Sequence, residues 1–117
     1  MVKINTVTLE GKTYSLGFKV VTENLESLGI RKNPNIVQYP INEWYFLESD
    51  KIVEGVGDFG GIWVTRTLSG ANNLRKYMQK HYSKKTRIFR AALKKILYFN
   101  SYRIKTDGIF MFDELLD

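Results

Sequence analysis

The sequence predicts a small α+β domain with a mainly antiparallel sheet, and three observations support this fold class. Alternating apolar and polar residues fill much of the first half, and segments rich in β-branched and aromatic residues recur near the end. One or two segments in the third quarter have the spacing of basic amphipathic helices instead. Because strands and helices do not alternate regularly, antiparallel pairing is favoured over a doubly wound parallel sheet.

Length and composition indicate one folded unit. The chain has 117 residues, of which 44% are hydrophobic and 14% aromatic, so we predict a single domain over residues 1–117. The absence of cysteine excludes disulfides, thiolate metal sites and cysteine nucleophiles. No apolar segment is long enough for a membrane span or a signal peptide. We therefore expect a cytoplasmic protein that makes no membrane contact.

The first strands are predicted at the N-terminus. Residues 2–9 alternate in polarity, a glycine-containing turn follows at 10–12, and residues 13–20 return as the second strand of a hairpin. A short helix is then predicted over 22–28. Its first residue is a threonine that can cap the helix, and a glycine able to end it in the left-handed conformation follows.

The next part of the chain is predicted to be irregular and rich in strands. A loop over 31–35 leads to strands over 36–39 and 44–47, on either side of Pro40. Because proline cannot donate a hydrogen bond to a sheet, these strands belong at an edge or corner. A further strand is predicted over 51–54 after a turn.

A glycine-rich segment over 55–62 matches the letters G-x-G-x-x-G. A dinucleotide-binding fingerprint requires a helix after the glycines, whereas a β-like run follows here. We interpret the segment as a turn or bulge between two strands, with a nest of backbone N–H groups for one phosphate as the alternative. Residues 61–68, rich in Ile, Trp, Val and Thr, are the predicted central strand.

Two segments in the third quarter have helical spacing. A helix is predicted over about 70–82, capped by Ser69, with apolar residues on one face and cations on the other. Segment 86–99 fits a helical period with its basic residues on one side, and we favour a second helix there. A strand remains the alternative, because several of its apolar residues also share one face of a pleated strand. A final hairpin is predicted about Asp107-Gly108, followed by an acidic end.

Positive charge is concentrated in one segment. Residues 59–106 hold twelve Lys or Arg and no Asp or Glu, whereas residues 1–58 sum to −2 and residues 107–117 to −4, within a net charge of +6. Such a field favours a polyanionic partner, and nucleic acid is the commonest one. We therefore predict a small basic nucleic-acid-binding protein that contacts the phosphates of RNA or DNA with little sequence readout. The predicted contacts are Arg75, Lys76, Lys80, Lys84, Lys85, Arg87, Arg90, Lys94, Lys95, Arg103 and Lys105.

A protein-binding role is the first alternative. In this reading the chain is an inhibitor or adaptor, of phage or plasmid type, that docks on an acidic surface of a host nucleic-acid enzyme. The aromatic residues Tyr39, Trp44, Tyr45 and Phe46 would then form the interface. An exposed Trp44 favours docking, and a buried Trp44 favours a core strand.

RNA cleavage is the second alternative. The late basic hairpin, with Arg103 and Lys105 on one face, is similar in size and charge to small ribosome-dependent RNA-cleaving toxins, although the long β-rich N-terminal half differs. The resemblance implies chemistry by Arg, Lys and Tyr, here with His81, Tyr82 or Arg103. A single histidine without cysteine makes a metal site unexpected, and no serine lies in a glycine-flanked elbow. We favour a protein without catalytic activity or cofactor.

Overall fold

A computed structural model describes residues 4–29, 36–57 and 59–116. Within these ranges the chain forms eight strands, one α-helix and a 3-10 helix over Ser49–Lys51. The elements are β1 (Thr6–Leu9), β2 (Lys12–Thr22), β3 (Trp44–Phe46), β4 (Ile62–Thr65), α1 (Leu68–Tyr82), β5 (Thr86–Leu93), β6 (Ile96–Phe99), β7 (Arg103–Thr106) and β8 (Gly108–Leu115). The predicted α+β class with a mainly antiparallel sheet is confirmed, with one helix rather than two.

The strands form one sheet in the order β3-β8-β5-β2-β4-β7-β6, and β1 pairs with the start of β2. The predicted N-terminal hairpin is confirmed, since β1 and β2 are joined at Glu10 and Gly11, which both have positive φ, as the tightest hairpin turns require. β2 is the longest strand and pairs with β5 along residues 15–22. The predicted central strand is also found, as β4 between β2 and β7.

The last four strands make a single long ribbon that bends in the middle. β5 pairs with β8 and β6 pairs with β7, and the ribbon turns at residues 100–102. The side chain of Asn100 fixes this turn by accepting hydrogen bonds from the backbone N–H groups of Tyr102 and Arg103, at 2.8 and 2.9 Å. From β8, the sheet continues through β5, β2 and β4 to β7. Because β7 and β8 are joined directly at Asp107, the two ends of this series meet, and the sheet curls around its core.

The core lies inside this curl, and α1 covers part of the outer surface. Val21, Phe89, Leu93, Ile109 and Met111 are among the buried residues of the main cluster. On the outer surface, Ala71 of α1 packs against Val20 and Ile88. The strands β2 and β5 are therefore covered on both sides where the helix lies on them.

Segment 86–99 is not a helix, which corrects the favoured prediction. It forms β5 and β6, separated by a bend at Lys94 and Lys95. The inner face of β5 buries Phe89, Ala91 and Leu93, and its outer face also buries Ile88 and Ala92. Because both faces are covered, apolar residues occupy adjacent positions, and this spacing imitates a helical period.

The short helix predicted over 22–28 is also wrong. β2 continues to Thr22, and a turn follows in which Leu25 has a φ of +64°. The Thr22 hydroxyl does accept a hydrogen bond from the N–H of Glu26 at 3.1 Å, but Glu26 then bridges to Gln38 instead of continuing a helix. Thr22 therefore caps a turn, which local sequence does not distinguish from the first turn of a helix.

The remaining predicted elements differ in their limits. No strand is assigned over 36–39 or 51–54, although Gln38 forms its single bridge and β3 lies within the strand predicted over 44–47. The hairpin about Asp107-Gly108 is wrong, because β7 and β8 do not pair with each other and the ribbon turns at residues 100–102. The start of the first predicted strand and the loop over 31–35 lie outside the described residues.

The predicted helix over 70–82 is confirmed and begins two residues earlier. Thr67 is its N-cap, since the Thr67 hydroxyl accepts a hydrogen bond from the N–H of Gly70 at 3.0 Å. Ser69, the cap expected from sequence, lies inside the first turn. The helix ends at Ser83, which has a left-handed φ of +53° and donates its N–H to the carbonyl of Gln79 at 3.1 Å.

Candidate nucleic-acid interface

The eleven cations predicted from sequence fall in three places. One group lies on α1 and at the start of β5, a second on β5 and at the residue that follows it, and a third near the bend and tip of the ribbon. We call the first group the helix cluster; its members are Arg75, Lys76, Lys80, Lys84, Lys85 and Arg87. The second group is Arg90 and Lys94, and the third is Lys95, Arg103 and Lys105.

The helix cluster results from the way α1 ends. Residues 75, 76, 79 and 80 share one helical face, because successive residues advance by about 100°. The opposite face buries Ala71 and Met78 in the fold. Beyond the helix, the N–H of Lys84 donates to the carbonyl of Met78 at 3.3 Å, which directs the chain back along the last turn. Lys76, Lys80, Lys84 and Lys85 are all exposed to solvent.

A groove of about 720 Å³ lies between this end of α1 and the start of β5. It is lined by five cations of the helix cluster (all but Lys80), the polar residues Gln79 and Thr86, and the carboxylates Glu23 and Glu114. Arg87 binds Glu114 through two hydrogen bonds, with Nε–Oε2 and Nη2–Oε1 distances of 2.9 and 2.7 Å. These bonds raise the pKa of Arg87 and lower the pKa of Glu114. The groove keeps an excess of positive charge after this pairing.

Aromatic rings lie next to the cations on α1. Tyr77 and Tyr82 are 44% and 47% exposed, and their ring centroids are 6.0 Å apart. His81 is exposed as well, with its ring centroid 4.6 Å from that of Tyr77. Tyr77 precedes Lys80 by three residues, so the two side chains are neighbours on the helix surface. The end of α1 therefore presents solvent-exposed rings beside solvent-exposed ammonium groups.

The second group of cations is engaged with aromatic side chains and a carboxylate. Arg90 lies 3.6 Å from the carboxylate of Asp113, and its guanidinium is 5.4 Å from the centre of the Phe112 ring. The ammonium of Lys94 is 5.9 Å from the ring of Tyr14. These two cations cover a ring-bearing face of the sheet and are separate from the groove.

The third group does not form a shared surface. Lys95 pairs with Glu54 at 3.1 Å, and the Arg103 guanidinium lies 3.9 Å from the centre of the Trp63 ring. Lys105 has no exposed surface, and its ammonium donates to the carbonyl of Gly55 at 3.1 Å. The prediction of Lys105 as a surface contact is therefore wrong, because Gly55 and Gly61 of the glycine-rich segment lie against its side chain.

The aromatic stretch predicted as a protein interface is divided between two environments. Tyr39 is buried, and its ring meets that of Tyr45 at 5.4 Å. Trp44 is half-buried among three rings, those of Tyr14, Phe46 and Phe110, at centroid distances of 5.1, 5.5 and 5.6 Å. Trp44 is therefore neither fully buried, as expected in a core strand, nor fully exposed, as expected on a docking surface.

The described residues of the glycine-rich segment before β4 form no helix or strand, as predicted, but the strand predicted to precede them is not assigned. Gly55 and Gly60 have φ values of +98° and +85°, and the N–H of Val53 donates to the carbonyl of Gly60 at 2.9 Å. Val53 is so close to Gly60 that a side chain there would clash with it. Asp58, the acidic residue of this segment, lies outside the described residues.

Two buried cations, Lys19 and Arg66, were not predicted from sequence, and Lys19 lies at a cleft. Lys19 in β2 lies beside Tyr39 and Trp63, at one side of a second and larger cleft of about 1310 Å³. A lysine within an alternating strand is normally assigned to the solvent side, so the sequence pattern gave no signal for this site.

Comparisons of the chain with protein-family models, with curated proteins and with solved structures find no match. In the part of the chain that the structure describes, no helix has the length and apolar character needed to cross a bilayer. The same residues contain no group of three or more His, Cys, Asp or Glu side chains able to hold a metal ion.

Proposed function

We propose that this protein binds single-stranded nucleic acid, with phosphates in the groove of the helix cluster and bases against the exposed rings of α1. One observation carries the proposal: cations and exposed aromatic rings occur together within residues 75–87, where the cations line the groove and Tyr77 and Tyr82 line the larger cleft. Grooves that follow a phosphate backbone and rings that stack on bases are the two components of non-specific single-strand binding.

The phosphate part of the proposal depends on exposure and local charge balance. When the exposed ammonium groups neutralise phosphates, counterions condensed on the nucleic acid are released, which provides affinity without sequence readout. Arg87 holds the Glu114 carboxylate with two hydrogen bonds, so the acidic group closest to Arg87 is neutralised before a phosphate arrives. Glu23 is the remaining carboxylate of the groove.

The base-stacking part distinguishes single strands from duplexes. Tyr77 and Tyr82 expose nearly half of their surface, so their rings are accessible from solvent. Each stacked base is worth roughly 1–3 kcal/mol, and only unpaired bases can reach such rings. We therefore expect single-stranded RNA and DNA to bind more tightly than duplex DNA of equal length.

Charge reversal tests the location of the site. We expect Lys84→Glu with Lys85→Glu to weaken binding at least tenfold. The slope of log K against log salt should also become less steep by about 1.4, because each of the two lost phosphate contacts contributes roughly 0.7 on a single strand. The measurement is fluorescence anisotropy with labelled single-stranded RNA, single-stranded DNA and duplex DNA at several salt concentrations. The double variant Lys12→Glu with Lys94→Glu is the matched control, because it changes net charge equally at exposed sites outside the groove.

Two results would overturn the proposal. One is equal loss of affinity in the two double variants, which would show that only net charge matters. The other is no binding by the unmodified protein at low salt. In that case the half-exposed Phe46 beside Trp44 on β3 makes docking on an acidic protein surface the better candidate. Shortening of the labelled RNA during the same measurements would instead support the cleaving function of His81, Tyr82 or Arg103.

A further inference from the structure

The larger cleft lies apart from the groove, between α1, β4 and the segments before and after β3. Its volume is about 1310 Å³, above the 300–1,000 Å³ common for small-molecule sites, and it opens to solvent. Five of the eleven large hydrophobic side chains that the described residues expose line it: Ile36, Val53, Phe59, Tyr77 and Tyr82. Exposed apolar side chains concentrated around one concavity indicate a binding surface, whereas scattered ones do not.

A buried ammonium group lies against this apolar cleft. Lys19 is only 8% exposed, and its Nζ donates to the carbonyl of Trp63 at 2.8 Å and lies 4.9 Å from the centre of the Tyr39 ring. An ammonium has three N–H donors, and the carbonyl uses one. Among the ion pairs of the described residues none involves Lys19. A charge buried without a counter-charge is costly, and an anion bound in the cleft would remove that cost.

The walls define the rest of the ligand. Val37, Val64 and Leu74 add further apolar surface to the exposed side chains around the cleft. Besides Lys19, the charged residues that line the cleft are Glu48, Lys51 and Arg103. The guanidinium of Arg103 is stacked on Trp63. Lys19 is the one buried cation among these described lining residues, and Lys51 is paired with Glu48. One buried ammonium against apolar walls suits one anionic group on an apolar body better than a chain of phosphates.

We propose that this cleft binds a small apolar monocarboxylate, an aliphatic or aromatic acid whose carboxylate pairs with the Lys19 ammonium. The apolar body of the acid lies against Val37, Val53 and Phe59. The charged anchor of this site, on β2, is separate from the helix cluster, whereas Tyr77 and Tyr82 line the cleft and also belong to the proposed nucleic-acid site.

Matched ligands test the charge requirement. Decanoate and decan-1-ol share an apolar chain and differ in the carboxylate, as do 2-naphthoate and 2-naphthylmethanol. Titrations followed by amide chemical shifts would give both the affinity and the position of each ligand. In the unmodified protein we expect each acid to bind at least tenfold more tightly than its alcohol, with shifts at residues of the cleft.

Variants of the anchor and the wall complete the test. Lys19→Met keeps an apolar stem of similar length, so we expect it to abolish the preference for the acid while the alcohol binds as before. Lys12→Met, which removes an exposed lysine of the same strand, should keep the full preference. Phe59→Ala, at an exposed wall position that folding tolerates, should weaken acid and alcohol equally.

Three results would overturn the carboxylate site: shifts that avoid the cleft, equal affinity for acid and alcohol in the unmodified protein, or an unchanged preference in Lys19→Met. If Lys19→Met does not fold, the Phe59→Ala titrations still decide the position of the ligand. The variant Lys84→Glu with Lys85→Glu should bind the acids normally whatever its effect on nucleic acid. Failure of one proposal is thereby distinguished from failure of the other.

Discussion

Gly17 marks the closest approach of two strands. A Cβ atom at this position would lie 2.5 Å from Cγ2 of Val64 and 3.3 Å from the carbonyl oxygen of Thr65. We expect Gly17→Ala to destabilise the fold by about 1–3 kcal/mol, the usual cost of an added atom in a packed core. Urea denaturation would measure this loss.

The control for that substitution is Gly57→Ala, where a Cβ atom would meet nothing within 4 Å. We expect the stability of this variant to change by a few tenths of a kcal/mol at most, as is usual at surface positions. Equal stability of the Gly17 and Gly57 variants would show that β2 and β4 are less tightly packed than described.

The ion pair of Arg87 and Glu114 has a defined pH dependence. Hydrogen bonds from Arg87 lower the pKa of Glu114, so the folded chain keeps this carboxylate ionised where the unfolded chain takes up a proton. The stabilisation is complete well above the ordinary value of 4.5 and is lost as pH falls through the lowered pKa. We expect Glu114→Gln to cost about 1 kcal/mol at neutral pH, because the pair is partly exposed, and progressively less in acid.

Thermal unfolding between pH 3 and pH 7 would measure this effect. The control is Glu48→Gln, because Glu48 pairs with Lys51 at 3.9 Å with both side chains largely exposed, and we expect no change there. A Glu114→Gln deficit that stays constant with pH would contradict the ionic origin of the stabilisation.

At the level of single residues, sequence predicted charge well and burial poorly. The exposure of the lysines of the helix cluster was predicted, because one face of the helix is buried and a lysine on the opposite face points to solvent. Lys19 and Lys105 were not assigned to the interior, because their burial depends on Trp63 and Gly55, which approach them only in the folded sheet. Such contacts join residues far apart in sequence and leave no local pattern.

The N-terminus of α1 gives a test at the level of an element. Thr67→Ala removes the hydroxyl that accepts from the N–H of Gly70, and we expect a loss of about 1 kcal/mol. Ser69→Ala is the control, because Ser69 lies within the first turn and is not the cap. Thermal unfolding of the two variants would show whether Thr67 or Ser69 begins the helix, and a larger loss for Ser69→Ala would contradict the assignment.

Elements were predictable where one side of the chain meets solvent. α1 has a buried face at Ala71 and Met78 and a charged face opposite, so its period was clear. β5 has no such contrast along most of its length, because the core covers its inner face and α1 part of its outer one. The turn after β2 was mistaken for a helix for another reason, since its Thr22 hydroxyl makes the bond that a helix cap would make.

At the level of the molecule, the pattern of apolar residues predicted the fold class, and composition suggested a basic surface without locating a site. Twelve cations between residues 59 and 106 suggested one continuous basic surface. Folding separates them, because Arg90 on β5 and Lys95 at the bend lie beside carboxylates from other parts of the chain. The helix cluster remains together because α1 and the residues after it are contiguous in sequence.

The position of β2 has a consequence for synthesis of the chain. Its principal partner, β5, follows α1 in the sequence, and β8, which continues the sheet beyond β5, is made later still. A nascent chain therefore leaves the ribosome with Val20 and Val21 unpaired, and distant pairing of this kind forms slowly. The N-terminal third depends on the last strand for its burial, so a ribosome that stalls after α1 would hold a chain that chaperones recognise as unfolded.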